Sequence, residues 1–204
     1  GRISFRKILN AAHCWFAQKF HFVKAAPFPF MINFELWNEC NAQCTFCRTD
    51  DGVIYDQNPE NKGQVPIPKG KMSLDLYKEI IEQSKDHILI AVLYVNGEPL
   101  MYKGLYEAIQ FASDRGVATL ISTNGELLTE NNIKKLLESG LDFVKIAISG
   151  FSQDIYTVQH RGCHIEKIKD NLETLARLRD LGQHKILTML DYVYYQYNSH
   201  EYQS

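Results

Sequence analysis

Residues 31–48 read MINFELWNECNAQCTFCR and join a short apolar stretch to three of the chain's five cysteines. Residues 31–37 have the apolar, partly alternating pattern of a β-strand. Cys40, Cys44 and Cys47 follow with the spacing C-x3-C-x2-C. A closed structural zinc site takes four ligands and disulfides take pairs, so three thiols fit neither requirement. The stretch predicts a strand leading into a loop that holds a metal centre with an open position.

The rest of the chain alternates between predicted strands and helices, which indicates an α/β fold with a parallel sheet or barrel. We predict further strands at residues 88–95, 117–122, 143–148 and 185–193. We predict helices at residues 73–85, 105–115, 129–139 and 165–181. Residues 50–71 are rich in proline and glycine, which predicts a long surface loop.

Residues 1–30 differ in composition from residues 31–204, which we interpret as the core. The first acidic residue of the chain is Glu35, whereas five basic residues precede it: Arg2, Arg6, Lys7, Lys19 and Lys24. Apolar residues recur at helical spacing: Phe5, Leu9, Ala12, Phe16 and Phe20. The segment therefore predicts a basic amphipathic helix that either packs on the core or binds a membrane surface.

Composition excludes several classes of protein. The chain has 204 residues, of which 45% are hydrophobic and 23% charged, as in globular domains. The net charge of −2 provides no basic field for nucleic acid. No apolar run reaches the ~18 residues of a membrane span, and no signal peptide is recognisable. Unevenly spaced cysteines predict a reducing, cytoplasmic location. The missing initiator Met and the polar end suggest a fragment.

Polar residues follow the other predicted strands. The second strand leads into Asn96-Gly97-Glu98-Pro99, the third ends in Ser122-Thr123-Asn124-Gly125, and the fourth leads into Ser149-Gly150. The carboxyl ends of parallel strands meet at one edge of a sheet, where α/β proteins build their sites. We therefore expect these loops and the cysteines to form one site.

The cysteine spacing and the strand-end motifs, in this order, resemble the radical S-adenosylmethionine (radical SAM) superfamily, from about Phe30 to the end of the chain. The resemblance implies a partial (β/α)6 TIM-like barrel, truncated here after about five strands. It also implies that Cys40, Cys44 and Cys47 hold a 4Fe–4S cluster whose open iron binds SAM. In this family, reductive cleavage of SAM produces a 5′-deoxyadenosyl radical, which abstracts hydrogen from a substrate.

The resemblance also implies a set of SAM contacts, while no catalytic side chain is assigned. Phe46 is expected near the adenine, the loop 96–99 near the methionine amino group, and Arg161 at the methionine carboxylate. Residues 148–162 resemble members that carry a C-terminal auxiliary-cluster (SPASM or twitch) domain. The complete set of expected SAM contacts is Phe46, Asn96, Gly97, Glu98, Pro99, Ser122, Asn124, Ser149 and Arg161.

Two hypotheses follow. The first is an oxygen-sensitive radical SAM enzyme that takes electrons from a low-potential donor such as flavodoxin or ferredoxin. Its substrate is a peptide, a sugar or aminoglycoside, or another small molecule. The second is a non-catalytic zinc or iron–sulfur module on a barrel scaffold, in which zinc would recruit His13, His160 or His164. Cys14 and Cys163 lie outside the expected ligand set.

Overall fold

The computed structural model describes residues 3–22, 28–47 and 69–202. Five parallel strands form one sheet, in the spatial order β1-β2-β3-β4-β5. The strands are β1 (Met31–Asn33), β2 (Ile90–Val92), β3 (Ala118–Thr123), β4 (Phe143–Ile148) and β5 (Leu187–Tyr192). Within the described residues the sheet is open, because β1 and β5 each pair with one neighbour. The predicted α/β architecture, a partial TIM-like barrel, is confirmed.

Helices lie between successive strands, as parallel pairing requires, and one further helix lies at each end of the described chain. They are α1 (Phe5–Lys19), α2 (Leu74–Ser84), α3 (Leu105–Asp114), α4 (Glu130–Glu138), α5 (Gln153–Gln159), α6 (Ile165–Leu181) and α7 (Ser199–Tyr202). Two 3-10 turns, Pro99–Met101 and Gln196–Asn198, add short connections. None of the helices described is both long and apolar enough to cross a bilayer.

Local chemistry explains where the predicted helices begin and end. The Ser73 side chain accepts a hydrogen bond from the Leu76 N–H at 3.2 Å and caps α2. Thr129 caps α4 in the same way. Gly116 and Gly140 follow α3 and α4 with φ of 69° and 81°, a left-handed conformation that glycine adopts at no steric cost.

Two strands, β1 and β2, are much shorter than predicted. The predicted strands at 31–37 and 88–95 pair only over Met31–Asn33 and Ile90–Val92. Trp37, at the end of the first stretch, instead forms an isolated antiparallel bridge with Lys71. The chain leaves the ladder early because it must turn into the loops at the carboxyl edge. Most of the predicted surface loop, residues 50–68, lies outside the described residues.

Burial alternates along β3 and β4, so that one face of the sheet carries the core against the helices. Ile121, Val144 and Ile146 are fully buried on that face. Full burial of one such side chain stabilises the fold by about 1.5–3 kcal/mol. The core therefore anchors the strands whose carboxyl ends carry the polar loops.

Helix α1 lies within the N-terminal segment and contacts the rest of the chain through polar side chains. Its buried residues are Lys7, Asn10 and Ala17. Lys7 Nζ donates to the Gly116 carbonyl oxygen at 2.5 Å, and Asn10 Nδ2 donates to the His87 carbonyl oxygen at 3.2 Å. The predicted apolar face is therefore not the face that packs on the core. The division into residues 1–30 and 31–204 stays a prediction.

Candidate cofactor site

The three cysteines lie in residues 38–47, the loop that leaves β1, which we call the cysteine loop. All three thiols are half-buried. The Cys47 N–H donates to the Cys44 carbonyl oxygen at 3.2 Å, and the Ala42 N–H donates to Cys40 Sγ at 3.4 Å. The loop is therefore compact, and each of the three thiols lies within electrostatic reach of another.

Backbone hydrogen bonds hold the cysteine loop from two directions. From the loop after β2, the Glu98 N–H donates to the Glu39 carbonyl oxygen at 2.9 Å. Two further bonds, each 2.9 Å long, join the cysteine loop to residues 159–161: Gln43 N–H to the Arg161 carbonyl, and Thr45 N–H to the Gln159 carbonyl. The strand-end motifs are thus connected through the backbone of the cysteine loop.

Gly97 allows the loop after β2 to lie directly on the cysteine loop. A Cβ atom at this position would lie 2.1 Å from the Trp37 carbonyl oxygen and 2.8 Å from Asn38 Cα, which are backbone atoms that cannot rotate away. Asn96 stands where the family resemblance has glycine. Its N–H and Nδ2 donate to Glu35 Oε1 at 3.1 and 2.7 Å, so the replacement adds a bond to the segment after β1.

Glu98 joins the ends of β2 and β3. Its side chain is only 2% exposed. Oε1 accepts hydrogen bonds from the Leu100 N–H at 3.1 Å and from Thr123 Oγ1 at 2.8 Å, and Oε2 accepts from the Asn124 N–H at 2.9 Å. Burial raises the pKa of the carboxyl, while these three donors act in the opposite direction. The carboxylate is therefore engaged by protein donors, and Pro99 begins the 3-10 turn that it caps.

Asn124 brings the end of β3 to the first cysteine. Its Nδ2 lies 3.7 Å from Cys40 Sγ and donates to Asn41 Oδ1 at 3.0 Å. Its Oδ1 accepts from the Glu126 N–H at 3.0 Å, so both ends of the amide are bonded. Ser122 lies half-buried on β3, two positions earlier. The loop after β3 therefore contacts the cysteine loop through the side-chain amide of Asn124, which hydrogen bonds hold in one orientation.

Ser149 reaches the cysteine loop indirectly. Its hydroxyl, fully buried at the end of β4, lies 2.6 Å from His160 Nδ1. The His160 ring stacks on Tyr156, with ring centroids 4.6 Å apart, and meets the edge of Phe46 at 5.3 Å. Burial lowers the pKa of His160 to about 4, so the imidazole is neutral at pH 7. Ser149 therefore supports the residue that precedes Cys47.

Phe46 and Arg161 lie at the solvent side of this network. Phe46 is 50% exposed. Arg161 is exposed as well, while its carbonyl oxygen accepts the bond from Gln43. Their side chains are therefore accessible to a ligand, in contrast to those of Glu98 and Ser149.

The thiol set fits an iron–sulfur cluster by its chemistry. Burial raises the pKa of the Cys40 thiol, and it raises the pKa of Cys44 to about 12, with neighbouring cysteines adding to the shift. Thiolates that are partly buried and close to one another need compensating positive charge, which iron supplies. Among the described residues, no three His, Cys, Asp or Glu side chains are placed to coordinate one metal ion. A cubane binds each thiolate through a different iron, so its cysteines do not meet at one atom.

Several residues of the network were not singled out from the sequence. Thr123 and Asn41 lie inside sequence motifs that indicate the site. The sequence predicts their location near the site but not their hydrogen bonds. Glu35 carries no such signal. The sequence suggests His160 as a zinc ligand, whereas in the structure its ring joins Ser149 to Phe46. His164 Nδ1, another zinc candidate, lies 3.2 Å from Glu126 Oε1.

Curated relatives share part of this chain. A nucleotide dehydratase that depends on S-adenosylmethionine, from Lacinutrix mariniflava, is 29% identical over 123 residues, covering 60% of this chain and 24% of that protein. A tungsten-containing aldehyde ferredoxin oxidoreductase cofactor-modifying protein from Pyrococcus furiosus is 29% identical over 158 residues, covering 74% of this chain and 40% of that protein. The chain thus spans less than half the length of these relatives.

A solved structure has the same fold. Streptococcus suis SuiB bound to S-adenosylmethionine matches 95% of this chain and 40% of its own, with a TM-score of 0.67 and 14% sequence identity. The family model described as the radical SAM superfamily matches residues 34–201, which include the cysteine loop and the three other strand-end motifs. The chain belongs to the radical SAM superfamily.

Proposed function

We propose that this protein is a radical SAM enzyme in which Cys40, Cys44 and Cys47 ligate a 4Fe–4S cluster. The observation that carries the proposal is the attachment of the cysteine loop to the neighbouring strand-end loops. The Glu98 N–H binds the Glu39 carbonyl, and Asn124 Nδ2 approaches Cys40 Sγ. A site built only to hold a structural ion would not need the ends of β2 and β3 to converge on its ligands.

When bound, the cluster and SAM supply the chemistry of the family, which is reductive cleavage of SAM to a 5′-deoxyadenosyl radical that abstracts hydrogen from a substrate. The side chains of this protein provide binding and orientation. Glu98 holds β2 and β3 at a fixed separation, because its two oxygens bind donors on both strand-end loops. Asn124 orients the first thiol.

The accessible residues bind the cofactor in this proposal. Arg161 presents a guanidinium fork that can pair a carboxylate through two bonds, which suits the methionine end of SAM. Phe46 presents a ring whose face can stack on adenine. Main-chain atoms of the loop 96–99 and the half-buried Ser122 complete the predicted contacts. Glu98 and Ser149 contribute mainly by holding these groups in position.

The proposal includes two partners. Reduction of the cluster requires a low-potential donor such as flavodoxin or ferredoxin, and a cytoplasmic, oxygen-poor setting protects it. The substrate is a peptide or a small molecule such as a sugar or nucleotide. The relatives include a nucleotide dehydratase from Lacinutrix mariniflava and a PqqA peptide cyclase from Bradyrhizobium diazoefficiens, which represent both classes.

Anaerobic reconstitution with iron and sulfide tests the proposal. The protein should retain about four irons and four acid-labile sulfides, as a cubane requires. After reduction with dithionite, it should convert added SAM to 5′-deoxyadenosine, measured by chromatography. C44A is the matched negative control and C14A the matched positive control. Bound zinc without sulfide, or a reconstituted and reduced protein that forms no 5′-deoxyadenosine, would refute the proposal and favour the structural metal module.

A further inference from the structure

Helix α1 and the turn that follows it present an aromatic and aliphatic surface to solvent. Seven large apolar side chains there are between 47% and 73% exposed. They are Phe5, Ile8, Leu9, Trp15, Phe16, Phe20 and Phe22, which we call the apolar face of α1. Isolated apolar residues on a surface are ordinary, whereas a continuous group of this size marks an interaction site.

The orientation of the helix is set by specific polar contacts. Lys7 and Asn10 are buried and bind the Gly116 and His87 carbonyl oxygens, which attaches the polar side of α1 to the core. Cys14 Sγ adds a bond of 3.4 Å to the Phe28 carbonyl oxygen. The apolar face therefore points outward in the folded protein, the reverse of an ordinary surface helix.

The exposed rings pack on one another along the helix. Trp15 meets Phe16 edge to face with centroids 4.9 Å apart, Phe16 stacks on Phe20 at 5.9 Å, and Phe20 stacks on Phe22 at 6.0 Å. The rings thus form one continuous surface before any partner arrives. A preformed surface of this kind loses little side-chain entropy when it binds.

The charged side chains of the helix itself are all basic. No acidic residue occurs before Glu35. Arg6 and Lys19 are exposed on the helix, and Lys19 Nζ lies 4.9 Å from the centre of the Trp15 ring. The cation and the aromatic ring are thus adjacent. This combination matches the interface of an anionic bilayer, where rings enter the acyl boundary and basic groups bind headgroup phosphates.

We propose that α1 attaches this protein peripherally to a membrane that contains anionic phospholipid. The helix lies parallel to the surface with its apolar face inserted, while Arg6 and Lys19 contact phosphate groups. At 15 residues the helix is about 22 Å long, which is shorter than the ~30 Å hydrocarbon core, so it lies on the bilayer. The site edge of the sheet does not take part in this attachment.

Sedimentation with lipid vesicles tests the proposal on the intact chain. The protein should sediment with vesicles of equal parts phosphatidylcholine and phosphatidylglycerol, and much less with phosphatidylcholine alone. The double variant F16S/F20S should bind the anionic vesicles at least about tenfold less, because two rings no longer leave water. R6E/K19E should lower binding at least about 25-fold at low salt, since each of the two basic groups near an anionic surface is worth about fivefold.

Control variants separate the apolar face from general surface hydrophobicity. Val158 and Leu181 are 45% and 73% exposed on other helices, so V158S/L181S should bind as the wild type does. Fluorescence adds a local readout: Trp15 emission should shift to the blue on anionic vesicles, and W15F should lose the shift. Thermal unfolding should show that each variant remains folded.

Three outcomes would overturn the proposal. The first is absence of binding to anionic vesicles by folded protein. The second is binding that F16S/F20S leaves unchanged. The third is a concentration-dependent dimer, measured by analytical ultracentrifugation, that F16S/F20S abolishes, because a second copy would then cover the apolar face. Cluster content should not change vesicle binding, so failure here would leave the proposed radical chemistry untouched.

Discussion

The predicted SAM contacts fall into two regions with opposite properties. At the ends of β2 and β4, Glu98 and Ser149 are 2% and 0% exposed, and their side chains are bonded to other protein groups. At the rim, Phe46 is 50% exposed and Arg161 is exposed as well. Residues that were all predicted to contact SAM therefore differ in what they do. The buried pair holds loops together, whereas the rim pair remains open to a ligand.

The difference has an electrostatic basis. Burial raises the pKa of the Glu98 carboxyl, and the donors of Thr123, Asn124 and Leu100 offset part of that cost. Without these donors the buried carboxyl group would be strongly disfavoured. The Arg161 guanidinium is solvated and needs no such support. Substitutions in the buried region should consequently affect folding first, and those at the rim should affect cofactor binding first.

The largest effect is expected at the cluster ligands. C40A, C44A and C47A should each abolish the intact cluster, because two thiolates do not hold it against loss to solvent. Iron and acid-labile sulfide after anaerobic reconstitution measure this. C14A and C163A should keep normal content. A C163A protein as deficient as C44A would show that the ligand assignment is wrong.

The next effect is expected at Glu98. E98A should lower the free energy of unfolding by about 3 kcal/mol, since three donors, two of them in fully buried bonds, lose their acceptor. E98Q should lose less, because its amide oxygen still accepts. Denaturant unfolding of the metal-free protein measures both. If E98A is as stable as the wild type but fails to bind SAM, Glu98 binds the cofactor as the rim residues do. The proposed division between buried and rim residues would then be wrong.

A pH-dependent effect is expected at His160. Its folded pKa of about 4 lies below the ordinary value of 6.5, so between these values the unfolded chain binds more protons. Stability from this group is complete above about pH 6.5 and declines by about 3 kcal/mol as the pH falls toward 4.

The control for this prediction is H160F, which retains an aromatic ring beside Tyr156 and cannot titrate. Denaturant unfolding of the wild type and H160F between about pH 4 and 6.5 measures how much of the loss of stability is due to His160. Equal pH dependence in the two proteins would show that His160 is not buried as a neutral ring.

The smallest effect on stability is expected at the rim. R161A should change the free energy of unfolding by less than about 0.5 kcal/mol, as for most surface substitutions. Its affinity for SAM should nevertheless fall about ten- to a hundredfold through loss of a charge-assisted bond. Titration of SAM into the reconstituted protein, followed by electron paramagnetic resonance, measures the affinity. An unchanged affinity would remove Arg161 from the site.

Much of the fold could be predicted because its signals are local. Caps such as Ser73, left-handed glycines such as Gly116 and the apolar runs of the strands depend on nearby residues alone. Strand lengths were overestimated at β1 and β2, since the end of a ladder depends on where the chain must turn away from its partner. The cysteine spacing is local too, and together with the strand-end motifs it predicted the family. The assignment of Cys40, Cys44 and Cys47 as metal ligands stays a prediction.

The sequence by itself determined the parallel α/β fold, the cysteine loop and the order of the strand-end motifs, because periodicity and spacing along the chain encode them. Only the tertiary structure decided which polar side chains are buried and bonded to other protein groups and which remain exposed. Glu98 could not be separated from Arg161, nor His160 connected to Ser149, without knowing what packs around each. For α1, the spacing of apolar residues predicted the apolar face but not the direction in which that face points. Its outward orientation depends on Lys7 and Asn10 reaching carbonyl groups that are distant along the chain.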